Sequence, residues 1–162
     1  DILNLSFAGE QDKIVEKMVR RAIANGIVVV ASAGNNGPGA EPAYPAAIPG
    51  VIAVTAVDSD ESVFAKANRG SYLDFAAPGV GILTTAPRNS YHLATGTSIA
   101  TAHVSGIIAL LLSMNKKGFS QDMLKSTAVT DLGDKGFDVD YGYGLINLRK
   151  ALGGVALKQL NQ

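Results

Sequence analysis

The sequence predicts an α/β domain, a mostly parallel sheet with helices on both faces, and three observations carry that expectation. Strand-like apolar segments alternate with helical ones along the chain. The run Ile27-Val28-Val29-Val30-Ala31 is apolar without alternation, the pattern of a strand covered on both sides. A helical stretch separates that run from the strand-like Ile2-Leu3-Asn4-Leu5-Ser6, so the right-handed crossover rule makes the two strands parallel neighbours with the helix across them. At 162 residues and 47% hydrophobic, the chain can bury one core.

The elements follow in order. From Lys13 to Asn25, the residues Ile14, Val15, Met18, Val19, Ala22 and Ile23 fall on one helical face, and Gly26 stands where a helix end takes a left-handed residue. The buried strand stops at the turn-rich Gly34-Asn35-Asn36-Gly37-Pro38-Gly39. Beyond Pro42 to Gly50 come the strand candidates Val51 to Val57, Leu73 to Ala77 halted by Pro78-Gly79, and Ile82 to Thr85, all expected to extend the sheet. From Ser98 to Leu112, Ile99, Val104, Ile107, Ile108, Leu111 and Leu112 surround the small Ala100, Ala102, Gly106 and Ala109. A helix apolar on nearly all sides should run through the core. Two shorter helices follow, one capped by Ser120 and running through Thr127, one after Asn147 through Leu152, with a bend at Tyr141-Gly142-Tyr143-Gly144. No internal repeat or linker interrupts the chain, so residues 1–152 read as one unit and 153–162 as a tail.

Composition narrows the function classes. The 14 basic and 14 acidic residues cancel, which leaves no electrostatic case for nucleic acid or an anionic membrane as partner. The longest apolar runs, such as Ile107 to Leu112, fall far short of the roughly 20 residues that span a bilayer. With no cysteine, disulfides, thiol catalysis and thiolate metal sites are excluded. Asp1 leads straight into the first strand with neither initiator Met nor signal peptide, which predicts that the chain starts inside a domain.

Chemistry gathers where strands end. In Gly34-Asn35-Asn36-Gly37 an amide can aim its NH2 at an oxyanion, although Asn beside Gly equally suits a turn. In Gly96-Thr97-Ser98, a serine at the start of the apolar helix sits in positive potential with its own N–H unpaired, although a helix cap would look the same. Spacing alone favours the turn and the cap.

Five motifs in order change that balance. Gly96-Thr97-Ser98-Ile99-Ala100-Thr101-Ala102-His103-Val104 resembles the nucleophile signature of subtilases, Gly-Thr-Ser-Met-Ala-(Ser/Thr)-Pro-His-Val. Val28-Val29-Val30-Ala31-Ser32-Ala33-Gly34-Asn35 resembles the family's oxyanion-hole segment, and Ile2-Leu3-Asn4-Leu5-Ser6-Phe7-Ala8-Gly9 its substrate-binding strand. Asp74-Phe75-Ala76-Ala77-Pro78-Gly79-Val80 and Tyr141-Gly142-Tyr143-Gly144-Leu145-Ile146-Asn147 are further landmarks. The resemblance runs from Asp1 to about Leu152 and implies the C-terminal portion of a three-layer subtilisin-like catalytic domain, its N-terminal part missing.

The resemblance also implies roles. Ser98 would be the nucleophile, and Asn35 with the Ser98 N–H the oxyanion hole. Ser6, Phe7, Ala8 and Gly9 would pair with an extended polypeptide substrate, and Ser32, Ala33 and Gly34 line the pocket for the residue before the scissile bond, with Thr97 beside the nucleophile. Asn36, being neutral, points to a broad or apolar specificity. The chemistry needs no cofactor. A structural calcium ion held by the carbonyls of Ala46, Ile48 and Val51 with Asp74 follows by analogy, as does secretion from the cell.

A serine hydroxyl needs a base, itself oriented by a third group. His103 lies five residues after Ser98 on the same helix and points about 140° away, so it reads as a packed structural histidine. His92 reads as a loop residue at the surface. No Asp-(Thr/Ser)-Gly or His-Gly-Thr occurs, and no Lys lies between Lys66 and Lys116. The implied partner is therefore the missing N-terminal portion that carries Asp and His. One departure stands inside the signature, Ala102 for the family's proline, which keeps the helix while removing some rigidity. If only these residues are present, the sheet should expose an apolar edge at Ile2 to Leu5 and Val28 to Val30 and associate through it. Two other readings remain: an inactive protease-derived module that binds peptides, and a nucleotide-binding domain cradling phosphate at Gly34 to Gly39, which lacks the Gly-x-Gly-x-x-Gly pattern.

Overall fold

A computed structural model describes residues 1–114, 120–127 and 129–153, so the expected tail beyond Gly153 lies outside the described residues. The chain opens with β1 (Ile2–Leu5) and α1 (Lys13–Ala24). Asp12 caps α1 by accepting the N–H groups of Ile14 and Val15, each at 2.8 Å, and Gly26 ends it at φ +76°. Next come β2 (Val28–Ser32), β3 (Ile52–Val57) and β4 (Phe75–Pro78).

These four strands are parallel neighbours in chain order, with Ile2 opposite Val28, Val30 opposite Ile52 and Val54 opposite Phe75. The expected strand–helix–strand unit is therefore present. Alternation along the strands divides the core into two layers. On one face Val29, Ala31, Ala53 and Leu73 meet Val19 of α1. On the other, Val30, Ile52, Val54 and Phe75 meet α2 (Thr97–Met114) and Leu124 of α3 (Gln121–Thr127). Helices on both faces of a mostly parallel sheet make this an α/β fold of three layers. Ser120 caps α3 by accepting the Met123 N–H at 3.1 Å, and Asn147 accepts the Lys150 N–H before a helical segment over 148–153.

Several expectations are corrected. Only Val19 of the α1 stripe is buried, while Ile14 and Met18 are 71% and 52% exposed. β1 is the outermost strand, so the outer half of the stripe finds no further strand to cover it. Ile82 to Ala86 does not join the main sheet. It forms β5 (Ile82–Ala86) of an antiparallel hairpin with β6 (Ser90–Ala94), so His92 sits on a strand rather than in a loop. α2 is as long and apolar as a bilayer-crossing helix, with a mean hydropathy of 1.6 over 18 residues, yet it does not run through the core. Ala100, Val104, Ile108 and Leu111 pack on the sheet, and Ala102, His103, Gly106 and Leu110 are exposed. Val29 and Val30 are no edge, because β2 lies between β1 and β3. The short β7 (Val129–Thr130) and β8 (Leu145–Ile146) complete the far side, β8 parallel to β4 and β7 antiparallel to β8. Two residues leave no period for a sequence to display.

Candidate active site

Two loops meet above the carboxyl ends of the parallel strands, the place where α/β sheets build sites. One leaves β2 as Ala33-Gly34-Asn35-Asn36, the other carries Gly96 into α2. Thr97, fully buried, joins them: its hydroxyl accepts the Gly34 N–H at 3.3 Å and donates to the Asn35 side-chain oxygen at 3.0 Å. The Thr97 N–H donates to the same oxygen at 3.0 Å. With both donors on Oδ1, the Asn35 amide has one orientation, and its NH2 is the group left over.

Gly96 places that NH2 beside Ser98. At φ +154° it has no side chain, and a Cβ built there would lie 3.3 Å from Ser98 Oγ and 3.5 Å from Asn35 Nδ2. Both polar groups thus surround one small empty point. Ser98 is the second residue of α2, half-buried, and neither its hydroxyl nor its N–H has a hydrogen-bond partner among the described residues. An unpaired hydroxyl, an unpaired N–H in the first turn of a helix, and a fixed amide NH2 form a constellation suited to attack on a carbonyl and to binding the resulting oxyanion.

β1 reaches the site through a hydrogen-bonded chain. Ser105 Oγ donates to Asn4 Oδ1 at 2.7 Å, Asn4 Nδ2 to Ser6 Oγ at 2.9 Å, and Ser6 Oγ to the Ser98 carbonyl at 3.0 Å. Phe7, Ala8 and Gly9 continue along the exposed surface, Phe7 being 54% exposed. Gly9 forms an antiparallel bridge with Tyr44, which closes a cleft lined by Gly9, Glu10, Asn36, Glu41, Ala43 and Asn68 among others.

Ser32, Ala33 and Thr97 are buried, at 2%, 0% and 0% exposed, and Ser32 Oγ donates to the Phe7 carbonyl at 3.0 Å. Asn68 lines the cleft. Its Oδ1 accepts the Asn36 N–H at 2.8 Å, its Nδ2 donates to the Glu41 carbonyl at 3.2 Å, and it fills the space where a Gly34 side chain would be. Glu10 and Glu41 are two acidic groups that the reading of Asn36 alone overlooked, and neither is in an ion pair among the described residues. They are 31 positions apart, and no local pattern links them. Tyr72 supports the floor by donating to the Ala33 carbonyl at 2.7 Å, and burial pushes its phenol pKa up.

The histidines stay away from Ser98. His103 is hydrogen-bonded as expected, Nδ1 lying 3.2 Å from the Ile99 carbonyl, but it is exposed rather than packed. His92 is exposed on β6 opposite Thr84. Gly34 to Gly39 leads into a turn and no helix, so the phosphate cradle lacks the helix N-terminus it would need.

Comparison with known proteins places these features in context. The family model described as "Subtilase family" matches residues 1–144. Subtilisin E of Bacillus subtilis is 41% identical over 158 residues, covering 93% of this chain and 40% of that protein. The major intracellular serine protease of the same organism is 37% identical over 137 residues, covering 82% of this chain and 43% of that protein. Among solved structures, the prenylagaramide maturation protease PagA superposes with a TM-score of 0.81 at 30% identity, over 95% of this chain and 61% of that one. The chain thus spans less than half the length of these curated relatives.

Proposed function

This chain belongs to the subtilase family, and on that premise we propose that it supplies the nucleophile and the oxyanion hole of a serine endopeptidase. The observation that carries the reading is the arrangement around Gly96, with the Asn35 NH2 held by Thr97 beside an unpaired Ser98 hydroxyl. In this reading Ser98 Oγ attacks the scissile carbonyl carbon while its proton passes to a base. The negative oxygen that forms takes hydrogen bonds from Asn35 Nδ2 and the Ser98 N–H. The tetrahedral species collapses to an acyl-enzyme on Ser98 as the amine leaves with the proton, and water then releases the acid.

Neither His92 nor His103 suits the base, so we assign the base and its orienting carboxylate to a segment outside residues 1–162, and read 1–152 as part of one catalytic domain. Ser6 to Gly9 is the segment that an extended peptide would pair with. Glu10 and Glu41 favour a basic side chain in the cleft, in place of the broad or apolar preference that Asn36 suggested. The relatives include an intracellular protease, and secretion is the reading taken from the higher identity to subtilisins.

Fluorophosphonate labelling of the full-length protein tests this, with Ser98→Ala as control. Labelling of the wild type alone, with cleavage of peptides bearing Arg or Lys before the scissile bond, is the expected result. Peptide binding without labelling would instead make the protein an inactive binding module.

A further inference from the structure

Asp74 stands immediately before β4 with its side chain 14% exposed. Burial pushes its carboxyl pKa up, opposed by the Ala53 N–H and by Lys125, both of which favour the charged form. The geometry accounts for both oxygens. Oδ2 accepts the Ala53 N–H at 3.0 Å, and Oδ1 faces Lys125 Nζ at 3.3 Å. Lys125 extends from α3, itself only 23% exposed, and its ammonium lies 4.6 Å from the ring centroid of Tyr143. One cation is thus held between a carboxylate and an aromatic face.

The same hollow is lined by the turn from Ala46 to Val51, the backbone that the family resemblance offers to calcium. In this chain the residues do not fit that ion. Calcium takes six to eight oxygens, usually with several carboxylates. Here Asp74 is the sole carboxylate lining the hollow among the described residues, and both its oxygens are engaged. The Ile48 carbonyl accepts the Val51 N–H at 3.0 Å, and the Gly50 carbonyl accepts from Gln121 Nε2 at 3.1 Å. Among the described residues, no three His, Cys, Asp or Glu side chains are placed to hold a metal ion together. A divalent ion on Asp74 Oδ1 would meet the Lys125 ammonium, a like charge at contact distance.

We propose that the Lys125 ammonium is the resident cation of the Asp74 hollow, tying α3 to the start of β4, and that it occupies a latent divalent-cation site. The side chain does at this junction what a bound ion would otherwise do, and the proposal is independent of protease activity.

The test uses the full-length protein stripped with a chelator, its Tm measured with and without calcium chloride, and terbium emission sensitised by Tyr72, which lines the hollow. Any calcium response of the wild type is expected to survive Asp74→Asn unchanged. Lys125→Glu is expected to gain a rise in Tm of about 5–10 °C at calcium 100-fold above its Kd. It should gain terbium emission as well, and both gains should vanish in the double variant with Asp74→Asn. Lys125→Gln, which keeps the stem, removes the charge and adds only a neutral oxygen, is expected to show both gains at a higher calcium concentration, and it serves if the glutamate variant does not fold. A wild-type calcium response lost on Asp74→Asn, or no gain on removing the Lys125 charge, would overturn the proposal.

Discussion

The side-chain oxygen of Asn35 receives two hydrogen bonds from one residue, the backbone N–H and the hydroxyl of Thr97, each at 3.0 Å. Because that hydroxyl also accepts the Gly34 N–H, Thr97→Val keeps the shape and removes both bonds of the hydroxyl, leaving only the backbone N–H on the Asn35 oxygen. The buried Gly34 N–H would then lack a partner, at a cost of about 1–3 kcal/mol in denaturant unfolding. On the proposed mechanism a loosened amide should also lower kcat by about tenfold with KM little changed, since there the contact serves the oxyanion rather than the bound substrate.

Asn35→Ala removes the donor itself. A loss in kcat on the order of 10²–10³ is expected, the size measured when a subtilisin loses its oxyanion-hole amide. Asn35→Asp should be no better, because it replaces the NH2 with an acceptor beside a forming negative charge. Steady-state kinetics that left kcat within twofold of wild type would remove Asn35 from the oxyanion hole.

Gly34 is fixed by shape as well as conformation. At φ +103°, an added Cβ would lie 2.8 Å from Asn68 Nδ2 and 3.1 Å from the Ala43 Cβ. Gly34→Ala should therefore cost about 2–4 kcal/mol from strain and crowding together. Thermal melts read it directly, and an unchanged Tm would mean that Asn68 and Ala43 can move aside.

Core and surface should respond differently along the chain. Ile108 and Leu124 are fully buried, so truncating either to Ala is expected to cost about 2–5 kcal/mol. Tyr91 on the β5–β6 hairpin is 70% exposed, and Tyr91→Ala should stay within about 0.5 kcal/mol. Chemical denaturation of the three variants gives the comparison.

Asp74 sets a pH dependence whose sign follows from its raised pKa. The folded state holds the proton more tightly than the unfolded chain, where the carboxyl keeps its ordinary value of 3.8. The stability contribution is therefore fully present below that value and is lost as pH rises through the higher folded pKa. Asp74→Asn should flatten this part of the stability profile, measured by urea unfolding across the acid range; an unaltered slope would place the titration elsewhere.

Much of the fold was legible because its signals are local. The β-branched run of β2, the glycine after α1, and the small and apolar residues of α2 each act through near neighbours in sequence. The hairpin partner Ser90–Ala94 was not legible, since Ser-Tyr-His-Leu-Ala is exposed at four of five positions and pairs only with β5. Nor was the true exposure of α1, because a stripe of apolar residues states what a helix could bury and not how far the sheet beneath it extends.

For the site, sequence alone determined the candidate groups: a serine at a helix start, an asparagine after a buried strand, glycines beside both, and the order of motifs along the chain that marks the family. These are properties of residue type and short spacing. Tertiary structure decided what those groups face. It set Thr97 against Asn35 across 62 positions, brought Glu10 and Glu41 to one cleft through the Gly9–Tyr44 bridge, and placed Lys125 on Asp74 where a metal ion was expected. Each is a contact between residues far apart in the chain, and such a contact exists only once the sheet order and the helix packing have fixed distances that no stretch of sequence contains.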